Sequence, residues 1–416
     1  MENLNISRFR VQPISVERSP GGYAVRVFSP FLAAWLLLTS SALATPNQAT
    51  VKVVLFSAKG IPGAVILDGP FVVMGRRSFT APPGRFRLAS EGGCVQLVAL
   101  AEGGRGPVLL RERSLEIKPV AASSVKIEST GTTSVRSRTR SYRGVLSVST
   151  QSLNGIKNAS RKNTPLTIIN EVSRREYLAG VVASEMPAAA PLEALKALAV
   201  LANTQVAKLL PRELLKDSTE LEAYAGVPES RTAAYAAVDA VGGEILRFDG
   251  KIIDAYFHST CAGMTSRAVD IFGGSSNPDY LTNVECNHCA ASPFFKVLTT
   301  SIPRARFDTV FGAHLPEIKS TDVAGRPTAV SYSLKGHQLH TTGYEFWLHF
   351  GQEFGWDKAP GTNFSLREEN GQVVIKSRGA GHGVGLCQWG AIGLAKQGRS
   401  YRAILSAYFP GTTISK

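Results

Sequence analysis

No apolar run in this 416-residue chain is long enough to cross a bilayer. Even Phe31–Leu38 falls well short of the about 20 residues a spanning helix needs. Cysteine is scarce and odd in number, five in all, so a framework pairing every thiol within the chain is excluded. Acidic residues are in deficit: 46 Lys+Arg against 32 Asp+Glu leave a formal charge of +14. Such a surface favours polyanions, whether nucleic acid, anionic lipid or an anionic wall polymer. The 39 glycines and 22 prolines follow no period, which excludes collagen. No internal repeat is visible. With 44% hydrophobic and 19% charged residues, the composition excludes a mostly disordered chain and supplies a sizeable core.

Residues 1–44 are expected to be a cleavable export signal. Arg18 and Arg26 precede the apolar run Phe31–Leu38, and Ala42-Leu43-Ala44 ends a small-residue stretch. Export points to the periplasm or cell envelope. It argues against nucleic acid as a partner and for envelope polymers, with no transmembrane helix left after cleavage.

From 45 to 140 the pattern is β-rich. Short apolar stretches such as Val51–Phe56, Ala64–Leu67 and Cys94–Leu100 are broken by Gly, Pro and Ser. The basic run Ser134–Arg143 reads as a solvated strand or loop, or as a polyanion contact. The remainder, 141–416, mixes helices and strands, so the expected class is α+β behind a β-rich N-terminal region. Ser173 and Glu176 are spaced as a capping box, and Pro187 is expected to stop the helix they open. Further helices are expected at Leu192–Leu210, Glu229–Ala240, Gln388–Gln397 and Tyr401–Tyr408. Asp249-Gly250 marks a two-residue hairpin between Glu244–Phe248 and Lys251–Phe257.

Four places can carry chemistry. Glu185 falls in the last turn of its helix, where the helix dipole disfavours a carboxylate and raises its pKa. A raised carboxyl pKa suits a general acid near neutral pH; a surface Glu paired with Lys or Arg is the bland reading. The stretch Tyr256–Thr265 is dense in hydrogen-bonding groups, among them His258, Ser259 and Thr260. Cys286 and Cys289 form a C-x-x-C knuckle that pairs in spacing with His258 and Cys261. Together they suit a structural zinc site of three sulfurs and one nitrogen, with His288 as a rival nitrogen. A disulfide from Cys261 to Cys289 or Cys286 suits an oxidising compartment equally. Finally, Gly379–Ala391 holds four glycines in its first seven residues, followed by Gln388 and Trp389. It lacks the Gly-Lys-Ser/Thr ending of a nucleotide loop. His382 and Gln388 can line a polar cleft, Trp389 offers a face for sugar stacking, and tight backbone packing is the alternative.

Three ordered segments resemble the SpoIID/LytB family, that of the stage II sporulation protein D and the amidase enhancer. Glu176-Tyr177-Leu178 through Pro187, followed by Pro191–Ala197, is similar to its opening motif. Gly243–Leu246 through Asp254–Thr260 resembles the middle motif, and Gly379–Ala391 the closing one, with Tyr408–Thr412 as its usual finish. The resemblance implies work on peptidoglycan. It implies a lytic transglycosylase that cleaves peptide-stripped glycan strands with one Glu, matching Glu185, to leave 1,6-anhydro-N-acetylmuramic acid ends. Its alternative is a non-catalytic wall-binding activator of an N-acetylmuramoyl-L-alanine amidase. The chain departs from the pattern at Asn203, where Arg is usual, at Glu220–Tyr224, where a Gln is usual, and at Cys387, where Ser is common. The metal site of some members draws on that second stretch, which here has no Cys or His, so zinc at Cys286 and Cys289 rests on this sequence alone.

Overall fold

The structure, a computed structural model, describes residues 49–56, 64–101, 104, 106–121, 123–129, 139–150, 166–209, 214–217, 223–227 and 232–416. The expected export segment 1–44, residues 134–138 of the basic run, Glu220–Glu222 and the helix start at 229–231 lie outside them. Among the described residues no helix is long and apolar enough to cross a membrane.

Alternating apolar and polar residues build two sheets. The first runs in the order Leu215–Lys216, Thr50–Val54, Thr167–Ser173, Val145–Ser149, Ser114–Pro119, Phe71–Met74, Phe79–Ala81. The second runs Thr139–Tyr142, Val125–Ser129, Ala64–Asp68, Arg85–Glu91, Cys94–Ala99, Val108–Glu112. The inward residues of both, such as Val53, Val73, Leu88, Leu97, Ile117 and Ile168, join one core. That core continues into the helices, and the first sheet takes strands from both sides of residue 140.

Strand Thr167–Ser173 feeds directly into α1 (Arg174–Glu185), whose N-cap Ser173 accepts a hydrogen bond from Glu176 N. Only half of the expected capping box forms. The Glu176 carboxylate is drawn instead to Arg143, at 2.9 Å, and to the Tyr235 hydroxyl. Met186 is extended, as Pro187 requires of the residue before it.

Helix α2 (Leu192–Leu209) is apolar around its circumference, with Ala197–Ala202 fully buried, the pattern of a central core helix. Its polar residues are spent on the backbone of the next motif. Asn203 Nδ2 donates to Glu244 O at 2.9 Å, Thr204 Oγ1 accepts from Leu246 N at 2.9 Å, and Gln205 Nε2 donates to Ala255 O at 3.0 Å. Asn203, where the family pattern has Arg, is thus an internal tie between helix and hairpin.

After α3 (Thr232–Val241), Ile245–Phe248 and Lys251–Ile252 form the expected hairpin, closed by Asp249 at φ 48° and Gly250 at φ 74°. The second strand ends at Ile252, short of the expected Phe257. Phe257–His258 leaves the hairpin and pairs in parallel with Leu386–Cys387, a contact 129 residues away that no local pattern announces. Short α4 (Ala268–Phe272) follows.

The stretch 298–378 is a module with its own core. Two three-stranded sheets accompany α5 (Arg304–Phe311) and α6 (Gly343–Phe354) around Phe307, Phe311, Tyr332, Phe346, Phe350 and Phe364. The chain then returns through the glycine loop to α7 (Gln388–Lys396) and α8 (Tyr401–Tyr408), and Thr413–Ser415 adds a strand to the hairpin.

Segment 223–227 packs against α1. A Cβ on Gly180 would lie 2.6 Å from the Tyr224 ring and 2.7 Å from Gly226 O, so only glycine allows this approach. Tyr224 is buried beside Tyr177, and its hydroxyl donates to Asn170 Oδ1 at 2.9 Å. Tyr224→Phe leaves that buried oxygen without its donor and is expected to cost about 1–3 kcal/mol, measured by urea denaturation. A cost near zero would mean the hydroxyl contributes no net stability.

Candidate active site at the C-terminus of helix α1

Glu185, the last residue of α1, turns its carboxyl toward two donors. Oε1 accepts from Ala223 N at 2.7 Å, and Oε2 accepts from the Gln388 side-chain amide at 3.2 Å. No basic residue occupies the last turn of α1. Burial raises the carboxyl pKa and is the leading cause; the two hydrogen bonds, which favour the ion, oppose it. The upward direction agrees with the expectation, with burial as the cause. The residue keeps partial solvent access.

Gln388 opens α7, and its neighbours stitch the closing motif to the middle one. Trp389 N donates to Ser259 O at 3.1 Å, while Thr260 and Ala380 exchange backbone hydrogen bonds at 3.1 and 2.9 Å. Ser259 and Trp389 remain partly exposed, with Trp389 packed against the main core. Thr260 is buried, its hydroxyl 2.6 Å from Ser292 Oγ.

The two histidines meet edge to face with ring centres 5.6 Å apart. His258 is buried, with Nδ1 3.1 Å from Val384 O and Nε2 without a partner among the described residues. His382 is partly buried; its Nε2 lies 2.8 Å from Phe257 O, and its Nδ1 accepts from Val384 N at 3.1 Å. Burial pushes the His382 pKa down to about 4. It pushes His258 well below its usual value, reinforced by His382 and Arg326. Both rings are therefore neutral at pH 7, and both hold backbone rather than facing solvent with charge.

Arg326 is not among the residues expected from sequence, since nothing within a few positions of it marks its burial. Its guanidinium is fully buried and donates to Cys261 O at 2.7 Å and to Met264 O and Ser266 Oγ, each at 3.0 Å. A Cβ on Gly383 would come within 2.4 Å of Arg326 Nε, so the glycine loop is also where this cation passes.

The cysteine arrangement corrects the expected ligand set. The Sγ atoms of Cys261, Cys286, Cys289 and Cys387 all lie within 4.8 Å of one another, and every one is buried. His258 is not among them; its Nδ1 lies 3.1 Å from the Val384 carbonyl. His288 turns to Gln397 at 3.2 Å. The fourth position belongs to Cys387, carried there by the parallel pairing of Leu386–Cys387 with Phe257–His258.

The mixed helix-and-strand chain thus sets the Glu185 carboxyl between the end of α1 and the first residue of α7. The family model described as stage II sporulation protein matches residues 162–248. Stage II sporulation protein D of Bacillus subtilis is 31% identical over 283 residues, covering 62% of this chain and 77% of that protein. An uncharacterized protein of Brachyspira hyodysenteriae is 30% identical over 263 residues, 61% of this chain and 69% of its own length. The amidase enhancer of Bacillus subtilis is 22% identical over 300 residues, 57% of this chain and 40% of that protein. The chain belongs to the SpoIID family.

Because the Gln388 amide favours the ionised carboxyl, Gln388→Leu is expected to raise the Glu185 pKa further. Carboxyl-carbon NMR titration reads this directly, and an unchanged or lower midpoint would show that the amide does not stabilise the ion.

Proposed function

We propose that this protein is an exported cell-wall enzyme, a lytic transglycosylase acting on peptidoglycan glycan strands stripped of stem peptides. The observation that carries the proposal is the Glu185 carboxyl, enclosed so that its pKa is raised yet contacted by Ala223 N–H and the Gln388 amide. Membership of a family that includes stage II sporulation protein D and a relative named amidase enhancer supports a wall-related role. The +14 charge suits an anionic wall polymer.

Enclosure keeps the Glu185 proton, which passes to the glycosidic oxygen after N-acetylmuramic acid as that bond breaks. The sugar becomes oxocarbenium-like. The carboxylate left behind is stabilised by its two donors, so ionising it in an enclosed site is less costly. It then takes the proton of the sugar's own 6-hydroxyl as that oxygen attacks C1, giving the 1,6-anhydro product. One carboxyl serves as acid and then base, and neither water nor a second carboxylate is needed, unlike the paired-carboxylate hydrolases. Ser259, Gln388 and Trp389 border the same locality and are the proposed sugar contacts.

The second reading, a wall-binding activator of an amidase, draws on the amidase-enhancer relative. It predicts sacculus binding and amidase stimulation that survive Glu185→Gln.

Glu185→Gln is expected to lower glycan cleavage by about 10²–10⁴-fold, the usual contribution of a general acid. Mass spectrometry of amidase-treated strands is the measurement, and absence of anhydro products from the wild type would remove the enzyme reading. Activity of the wild type should fall as pH rises through the raised Glu185 pKa. The stability sign is opposite to that of a salt-bridged carboxylate. With the folded pKa above the unfolded one, ionising Glu185 opposes folding at higher pH. The neutral glutamine escapes this cost, so its Tm at pH 8 should equal or exceed that of the wild type. A lower Tm would assign the lost activity to unfolding.

A further inference from the structure

We propose that Cys261, Cys286, Cys289 and Cys387 bind one zinc ion in a closed, structural tetrahedral site that anchors the start of α7. This inference stands independently of the catalytic reading.

The sulfur spacing selects the occupant. With Zn–S bonds of about 2.3 Å, the thiolates of a tetrahedral site lie about 3.8 Å apart. Here Cys261 Sγ and Cys289 Sγ are 3.7 Å apart, and all four sulfurs fall within 4.8 Å. A four-iron cluster places a cube of metal and sulfide between its cysteines and holds them farther apart. All four cysteines are free in the structure, and a disulfide would need two sulfurs to close to about 2.05 Å.

The surroundings suit thiolates rather than four buried neutral thiols. Cys387 Sγ accepts from Cys261 N and from Gly390 N, both at 3.3 Å, the latter as N-cap of α7. The Tyr408 hydroxyl lies 3.0 Å from Cys286 Sγ. The buried Arg326 guanidinium sits on the carbonyl of Cys261, a positive charge against the net negative charge of a four-thiolate zinc centre. At Gly390 a Cβ would lie 2.5 Å from Cys286 Sγ and 2.0 Å from Tyr408 Oη, so the shell closes only over glycine. Four protein ligands leave no position for water, which makes the site structural rather than hydrolytic.

The ligands come from three places: Cys261 after strand Phe257–His258, Cys286 and Cys289 from one loop, and Cys387 from the closing motif. Gln388, the residue after Cys387, is the one that reaches Glu185. A metal here would hold the middle and closing motifs in one register and keep Gln388 in place.

The test uses the full chain purified without reductant or chelator. Elemental analysis should find one zinc per chain, and denaturation in chelator should expose all five thiols. Exchange with Co²⁺ should give the thiolate charge-transfer band and the visible absorption of tetrahedral cobalt. Cys387→Ser should lose most of the zinc, whereas His258→Ala and His288→Ala should retain it. Should Cys387→Ser fail to fold, the wild-type metal content and cobalt spectrum still decide. Metal-free protein with fewer than five thiols and a mass lowered by two hydrogens per disulfide overturns the proposal. Stoichiometric iron, or zinc lost from the His258 variant and kept by the Cys387 variant, overturns it as well.

Discussion

A carboxyl with no ion-pair partner among the described residues is the constraint around which the site is arranged. Glu185 ends α1 without a basic partner and is enclosed, so its neutral form is favoured. Two neutral donors limit the penalty of ionisation without cancelling it. A salt bridge in their place would lower the pKa and remove the acid. Both donors come from distant chain, one from a backbone amide at Ala223 and the other from the first residue of α7.

Holding those donors in place accounts for much of the surrounding fold. Segment 223–227 is pressed onto α1 through the absence of a side chain at Gly180 and the hydroxyl of Tyr224. Helix α2 spends Asn203, Thr204 and Gln205 on the hairpin and the strand after it. The middle and closing motifs are joined by parallel pairing, by the Trp389–Ser259 and Thr260–Ala380 hydrogen bonds and by the cluster of four sulfurs. Neutral His258 and His382 cap backbone groups at the same junction.

Where residues carry a local rule, the sequence is legible. Ser173 caps α1, Asp249-Gly250 turns the hairpin with both residues at positive φ, and Tyr401–Tyr408 is a helix with the expected bounds. Alternation reads as strands where one face is buried, as in Thr50–Val54, Phe71–Met74 and Ser114–Pro119. The rule fails where a partner outside the local window competes. Glu176 abandons the reciprocal half of its capping box for Arg143 and Tyr235, and the strand expected to reach Phe257 stops at Ile252, leaving Phe257 to pair with Leu386. The module at 298–378 is held together by aromatic residues of α5, α6 and the strands between and after them, a core that forms only when these distant elements meet.

By itself, the sequence determined the family motifs, the helix that ends in Glu185 and the presence of a thiol cluster around C-x-x-C. Those depend on turn chemistry, capping and residue type, all readable within a few positions. Only the tertiary structure decided that Cys387 rather than His258 completes the sulfur cluster, and that a backbone amide and Gln388 receive the carboxyl. It alone placed the buried cation Arg326 on the carbonyl of Cys261. Each of these is a contact between segments more than thirty residues apart, and such contacts are set by strand pairing and core packing, which leave no period in the chain.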